Sequence, residues 1–320
     1  MGLKRYIAKR TVHAMFVMWL VATTVFFGLR AIPGGPIQAM LGAEATPEAV
    51  ERLREQLGLN RPIWVQYGDW MTDLLVLNLG RSINTGEPVA DVLLTTAPRT
   101  FAIGGLGIVV GLLISIPAGI IAATRRRETI DYVSTMAAFL GISMPAFFIG
   151  ILLALVFGVW FNLLPIVGYT PLSEGVIPWF KSILLPGIAV GLPYGAIVMR
   201  MMRSSLLEVM NEPYMRTALA KGVDSRVRLV KHALQNAMIP VITVAGIQVA
   251  IIIVGSVTVE LVFGIKGLGR VLVNSMLDRD YAVTQGAILL VAFILVFMNL
   301  AVDLTYTVID PRIRYGDENQ

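Results

Sequence analysis

Residues able to do covalent chemistry are scarce in this chain, and their spacing excludes more than it suggests. There is no cysteine, which removes structural disulfides, cysteine metal sites and thiol nucleophiles. The two histidines, His13 and His232, are too few and too far apart in sequence for a metal centre or a Ser/His catalytic pair, and there is no HExxH. Gly104, Gly105, Gly107 and Gly111 are not spaced as GxGxxG and follow no strand, so close helix packing explains them better than phosphate binding. No GxxxxGK(S/T) occurs, so the chain cannot cradle nucleotide phosphates in the usual way. What remains is one polar stretch, Arg203 to Pro240, with seven basic residues in or beside it: Arg200, Arg203, Arg216, Lys221, Arg226, Arg228 and Lys231.

The pattern within that stretch is helical. Leu206, Leu207, Met210, Met215 and Leu219 recur near helical spacing, and Val227, Val230, Leu234 and Met238 do so again. Pro213 interrupts the first set or starts a turn. Gly222 followed by Asp224-Ser225 reads as a helix end and a new N-cap. Two or three short amphipathic helices joined at a glycine turn are expected. They could lie on the membrane surface, with basic residues on anionic lipid. Alternatively they form a docking element set into a groove on a partner. Thr217-Ala218-Leu219-Ala220-Lys221-Gly222 favours docking, because small side chains allow close approach and the glycine permits a sharp turn.

The elements that position this stretch are built for lipid. Of 320 residues 56% are hydrophobic and 15% charged, with a mean hydropathy of +0.74, more apolar surface than a soluble domain can bury. Four basic residues in 1–10 precede an apolar run, Val12 to Leu29, with no small-residue cleavage site after it, so an uncleaved first helix is expected. Residues 31–97 read as a polar loop region. In it Thr46 and Pro47 open a short helix through Leu57, and a second amphipathic piece runs from Pro62 to about Val76. Its Trp64, Tyr67 and Trp70 suit either a membrane interface or a small packed cap. Further spans are expected over 101–123 after Pro98; over about Tyr132 to Phe161, kinked at Pro145; and over about Ile183 to Met202, broken by Pro186 and Pro193. The fifth runs roughly Met238 to Leu261 and the sixth Val283 to Val302. The fold class is therefore an all-α integral membrane protein with six transmembrane helices. Six spans place both termini on one side. That side holds sixteen Lys and Arg against ten opposite, six of those in the long first loop, so the termini and the 203–240 stretch are expected in the cytoplasm.

Several single residues invite a role. Arg200 and Arg203 are expected to snorkel to lipid phosphates or pair with Glu208. Glu260 and Asp303, near span ends, read as interface anchors ahead of pathway groups. Ser143, Tyr194, Gln248 and Asn299 are candidates for a pathway lining, with interhelical hydrogen bonding the plainer alternative.

The polar stretch resembles the EAA loop of the membrane subunits of ATP-binding cassette importers. It is closer to the dipeptide/oligopeptide permease form, R-T-A-x-A-K-G then H-A-L-x-N-A-x-x-P. Arg216, Thr217, Ala218, Ala220, Lys221, Gly222, His232, Ala233, Leu234, Asn236, Ala237 and Pro240 stand in register. Ile32 to Pro36 is similar to that family's I-P-G-D-P, without the acid, and Leu79-Gly80-Arg81-Ser82 with Pro88-Val89 to its L-G-x-S…P-V. Phe263 to Tyr281 resembles its F-x-x-P-G-L-G-R…R-D-Y signature, with Lys266 in place of proline, and Asp310 to Arg314 its tail.

The resemblance implies a type I permease fold, a first helix plus a five-helix core. It divides the chain into 1–30, a loop region 31–97, a core 98–309 and a tail 310–320. It implies a heterodimer with a second related permease, two ATPase subunits that bind ATP and Mg, an extracytoplasmic peptide-binding protein and surrounding lipid. It further implies that this chain binds no cofactor, performs no catalysis and takes no nucleic acid as partner. Arg216, Thr217, Ala218, Ala220, Lys221, Gly222, His232, Leu234 and Asn236 would form the coupling loop, His232 packing or hydrogen bonding rather than carrying a proton. Gly267, Leu268, Gly269, Arg270, Asp280 and Tyr281 would form the extracytoplasmic signature. The expected place is a bacterial or archaeal cytoplasmic membrane, and the cargo di- or oligopeptides, with nickel, glutathione or an oligosaccharide as alternatives. A secondary transporter or channel is more distant, since no span has a clearly central acid and no internal repeat is seen.

Overall fold

The computed structural model describes residues 3–32, 37, 46–56 and 58–309. The expectations placed on Pro33 to Pro36, Leu57, the side chain of Asp303 and Asp310 to Arg314 lie outside the described residues. Among the described residues the regular structure is helical, with a single isolated bridge, Arg81 to Pro88. In order these are α1 (Leu3–Ala31), α2 (Pro47–Gln56), α3 (Ile63–Leu75), α4 (Val89–Thr124), α5 (Thr129–Ser143), α6 (Ala146–Leu153), α7 (Val176–Met210), α8 (Pro213–Ala220), α9 (Gln235–Val262), α10 (Leu268–Leu277) and α11 (Tyr281–Ile309). Among the described residues five helical stretches are long and apolar enough to cross a membrane, and α5 with α6 and the π-helical turn that extends it to Trp160 makes a sixth if that bent pair is one span.

The chain divides into two compact units, one of residues 1–8, 100–265 and 297–320, the other of 9–99 and 266–296. The first unit is built around α7. Small residues on α7 meet small residues on α4: a Cβ placed on Gly191 would lie 2.5 Å from the Gly107 carbonyl oxygen. Only backbone without a side chain fits there, so the two helices touch main chain to main chain. α5, α6 and α9 cover other faces of α7, and Ile183, Leu185, Val198, Met202 and Leu206 are fully buried in it.

Two expectations about proline are corrected here. Pro186 and Pro193 do not break the fourth span; both lie inside one 35-residue helix. Each removes one ladder hydrogen bond, yet the helix runs on through both, with α5, α6 and α9 packed against it. Pro145, expected to kink one helix, instead separates two. Met144 before it is extended (φ −91°, ψ 126°), as a residue preceding proline prefers, and α5 and α6 meet at 105°.

In the second unit α3 lies against α1. The buried Phe26 ring meets Tyr67 and Trp70 at 5.3 and 5.2 Å between centroids, and Tyr67 Oη and Thr23 Oγ1 are hydrogen bonded at 2.8 Å. The Arg30 guanidinium stacks 3.5 Å from the Phe26 centroid and donates to Gln66 Oε1. Tyr67 and Trp70 are thus half-buried against α1, while Trp64 touches Phe27 and stays largely exposed. Thr46 accepts from Ala49 N–H at the start of α2, as its spacing before Pro47 predicts. The helix of the second span begins at Val89, well before Pro98, which it contains.

Candidate functional site

The 203–240 stretch is mostly made of the ends of two spans. α7 continues to Met210 and takes Leu206 and Leu207 with it, Leu206 fully buried. After a turn at Asn211-Glu212, Pro213 opens α8 at a position where its missing N–H is harmless. α8 buries Met215 and leaves Arg216, Thr217, Leu219 and Ala220 exposed, with Ala218 half-buried. Gly222, at φ +73°, ends it in the left-handed region. Its N–H donates to Leu219 O, and Val223 N–H donates to Ala218 O at 3.1 Å. Asp224 Oδ1 then accepts from Arg226 and Val227 N–H, the N-cap that Asp224-Ser225 predicts.

The second half departs from expectation. Rather than a separate amphipathic helix, Ser225–Val227 runs through a π-helical turn, Arg228–Leu234, directly into α9. Only the eight residues of α8 form an independent short helix. A residue not singled out from sequence, Tyr214, ties it down: its hydroxyl accepts from Asn236 Nδ2 at 2.8 Å and donates to the His232 carbonyl at 3.3 Å. Asn236 Nδ2 also donates to the His232 carbonyl. Leu234 and the His232 side chain are half-buried, and Lys221 is exposed. Outward apolar groups in this stretch include Leu219 (61% exposed), Val227 (45%) and Val230 (54%), with Arg216, Lys221 and Arg226 near them in sequence.

Arg203 pairs with Asp131 rather than with Glu208. Its guanidinium forks onto Asp131 in the first turn of α5, Nε to Oδ1 at 2.6 Å and Nη2 to Oδ2 at 3.0 Å. Arg127 N–H donates to the same carboxylate at 3.0 Å. Arg200 lies over the Phe139 ring, 5.3 Å from its centroid. Asp131 was missed by sequence reasoning; the available signal was an acid in a helix's first turn, four residues after Arg127.

The second predicted group is drawn together with the Leu79-Gly80-Arg81-Ser82 segment. Asp280 is buried, accepts from Ser82 Oγ at 2.5 Å, and caps α11 by accepting from Val283 N–H at 3.2 Å. Asn84 Nδ2 donates to Asp278 O. Gly267 precedes α10, whose Leu268 and Gly269 are buried and Arg270 half-buried. Tyr281 lines a small cavity with Leu29, Ile32, Met276, Arg279 and Thr284.

Glu260 corrects another expectation. It is fully buried rather than anchored at an interface, and accepts from Thr100 Oγ1 at 2.6 Å and Ser256 Oγ at 3.3 Å. Of the pathway candidates, Ser143 is exposed at the α5–α6 bend, Gln248 is half-buried on α9, Asn299 is exposed on α11, and Tyr194 is buried on α7, its ring close against Gly111.

Comparison with known proteins agrees with this architecture. Residues 115–315 match the family described as binding-protein-dependent transport system inner membrane component, and residues 3–104 match its N-terminal family. A probable peptide ABC transporter permease of Sinorhizobium fredii is 40% identical over 310 residues, covering 97% of this chain and 99% of the relative. A dipeptide transport system permease of Alkalihalophilus pseudofirmus is 37% identical over 97% of this chain and 99% of its own length. A glutathione transport system permease of Escherichia coli is also 37% identical, over 97% of this chain and 99% of its own. With its apolar spans, its proline-broken α5–α6 pair and full-length likeness to such permeases, the chain belongs to the family of binding-protein-dependent transport system inner membrane components, multi-pass permeases of ABC transporters.

Proposed function

We propose that this chain is one half of the translocation pathway of an ATP-driven peptide importer, and that α8 is where it takes up the work of separate ATPase subunits. The observation that carries the reading is α8 itself. It is an eight-residue helix between two membrane spans, pinned from behind by Tyr214 and Met215 and exposing Leu219 forward. A short rigid helix presented this way suits insertion into a groove. ATP binding and hydrolysis on the partners would move that groove, and α7 and α9, continuous with the loop on both sides, would carry the motion into the membrane, a two-state switch biased at one end. A second, related permease completes the pathway, and an extracytoplasmic binding protein delivers the cargo. Both termini and α8 face the cytoplasm on this reading, supported by the excess of Lys and Arg on that side. Peptides are favoured as cargo by the names of the similar permeases. Glutathione follows on the same ground. Nickel and oligosaccharides are further alternatives that a binding assay on the cognate binding protein separates.

Gly222 provides the test. A Cβ there meets nothing within 4 Å, so any penalty inside the chain comes from φ alone. Asn tolerates the left-handed region and Asp less readily. Gly222→Asn and Gly222→Asp are expected to insert normally yet to lose co-purifying ATPase subunits, because a side chain now stands on the docking surface. Normal co-purification with normal substrate-stimulated ATP hydrolysis in both variants would overturn the assignment of α8.

A further inference from the structure

We infer that Asp131 is a positioning residue for energy coupling: through Arg203 it ties the root of the α8 loop to α5, so that the two move as one body. The inference rests on the importer reading above. Arg203 lies seven residues before the end of α7 at Met210, about two helical turns or about 10 Å along the helix from that end. Met202 and Leu206, on either side of it, are fully buried, so this end of α7 is held stiffly. Asp131 is held by the Arg203 fork, by the Arg127 N–H at 3.0 Å and by Thr135 Oγ1 at 3.5 Å. Two parallel hydrogen bonds between planar groups fix rotation as well as distance, which a single contact does not.

The carboxylate is not placed to meet cargo or a partner. Its side chain is 4% exposed, against 28% for Arg203. It also gathers in the turn before α5, where Arg127 holds a left-handed φ of +68° unusual for a residue with a side chain. Beyond it α5 leads to the 105° bend at Met144-Pro145. A displacement of the α8 root therefore reaches that bend by two routes, along α7 and across the fork to α5. Leaving α5 behind would strand a desolvated carboxylate, which is strongly unfavourable.

The experiment uses the whole complex, with partner permease, ATPases and binding protein, reconstituted in liposomes, and measures cargo moved per ATP hydrolysed. In Asp131→Asn and Arg203→Lys, complexes are expected to assemble and hydrolyse ATP while cargo per ATP falls about fivefold or more, the low end of ordinary coupling between sites. The reversal Asp131→Arg with Arg203→Asp is expected to recover part of that ratio. If assembled variants are merely less heat-stable and move wild-type cargo per ATP, the inference is overturned. Failure of both conservative variants to assemble overturns it too, since the fork would then serve folding alone. A wild-type chain that binds no ATPase overturns the importer reading and the inference together, so the two failures are distinguishable.

Discussion

Replacing Gly191 by Ala tests whether α4 and α7 truly meet backbone to backbone. The new Cβ would sit 2.5 Å from the Gly107 carbonyl oxygen, 3.0 Å from its Cα and 3.1 Å from its carbonyl carbon. Ordinary contact begins at 3.4 Å, so the helices must part by roughly 3.4 less 2.5, or about 0.9 Å. A gap of that size forfeits a quarter to half of the local dispersion energy, and overpacking of this kind costs about 1–3 kcal/mol. Ala recovers about 0.5–1 kcal/mol of helix propensity over Gly, leaving a net loss of up to about 2.5 kcal/mol. Gly105 supplies the control. It lies two residues from Gly107 on the same helix, yet a Cβ there meets nothing within 4 Å, so Gly105→Ala should only gain propensity. Both variants would be unfolded by SDS titration from one mixed micelle, read by near-ultraviolet circular dichroism. Gly191→Ala should unfold earlier than wild type and Gly105→Ala at the same point or later. Coincident curves for the two would refute the close-packed seam.

Further outcomes follow from the other contacts. Asp280→Ala should lower stability in the same titration by about 1–3 kcal/mol, because it removes a helix cap and strands the buried Ser82 hydroxyl. Adding Ser82→Ala should cost little more, a coupling that a double-mutant cycle measures directly. Glu260→Leu should lose about 1–3 kcal/mol by removing the acceptor of the Thr100 and Ser256 hydroxyls. Tyr214→Phe removes both hydroxyl bonds that hold α8 to His232 and Asn236. Limited proteolysis at Lys221 should then quicken while the unfolding point moves by about 1 kcal/mol or less.

What was legible in the sequence was local or periodic. The apolar runs located the spans, and Gly222 with Asp224 marked the end of α8 and the next helix start, because αL glycines and Asx caps act within a few residues. Pro145 was read as a disturbance, but its strength depended on Met144 taking the extended conformation. The failures share a cause. Pro186 and Pro193 were judged by a rule for isolated helices, and packing around α7 overrode it. Arg203 was offered Glu208, a neighbour in sequence, when its partner stood 72 residues earlier. Glu260 lies near a span end, and that depth says nothing about which side of α9 faces the protein; it faces Thr100. The Ser82–Asp280 bond joins residues 198 apart, so each motif was visible alone and their meeting was not.

The burial of α7 also bears on how the chain is made. Of the residues in its most apolar window 72% are covered by protein, so in the finished molecule this helix has little surface for lipid. It is also the helix with two prolines, whose freed carbonyls find no partner in hydrocarbon. Leaving the insertion machinery alone would be unfavourable for it. The order of synthesis offers a remedy: α4, α5 and α6 precede it and can receive it at once, the glycine seam matching immediately. The face that α9 covers stays open until a further stretch of chain, α8 included, has been made. The packing around α7 therefore closes only after the α8 loop has already emerged.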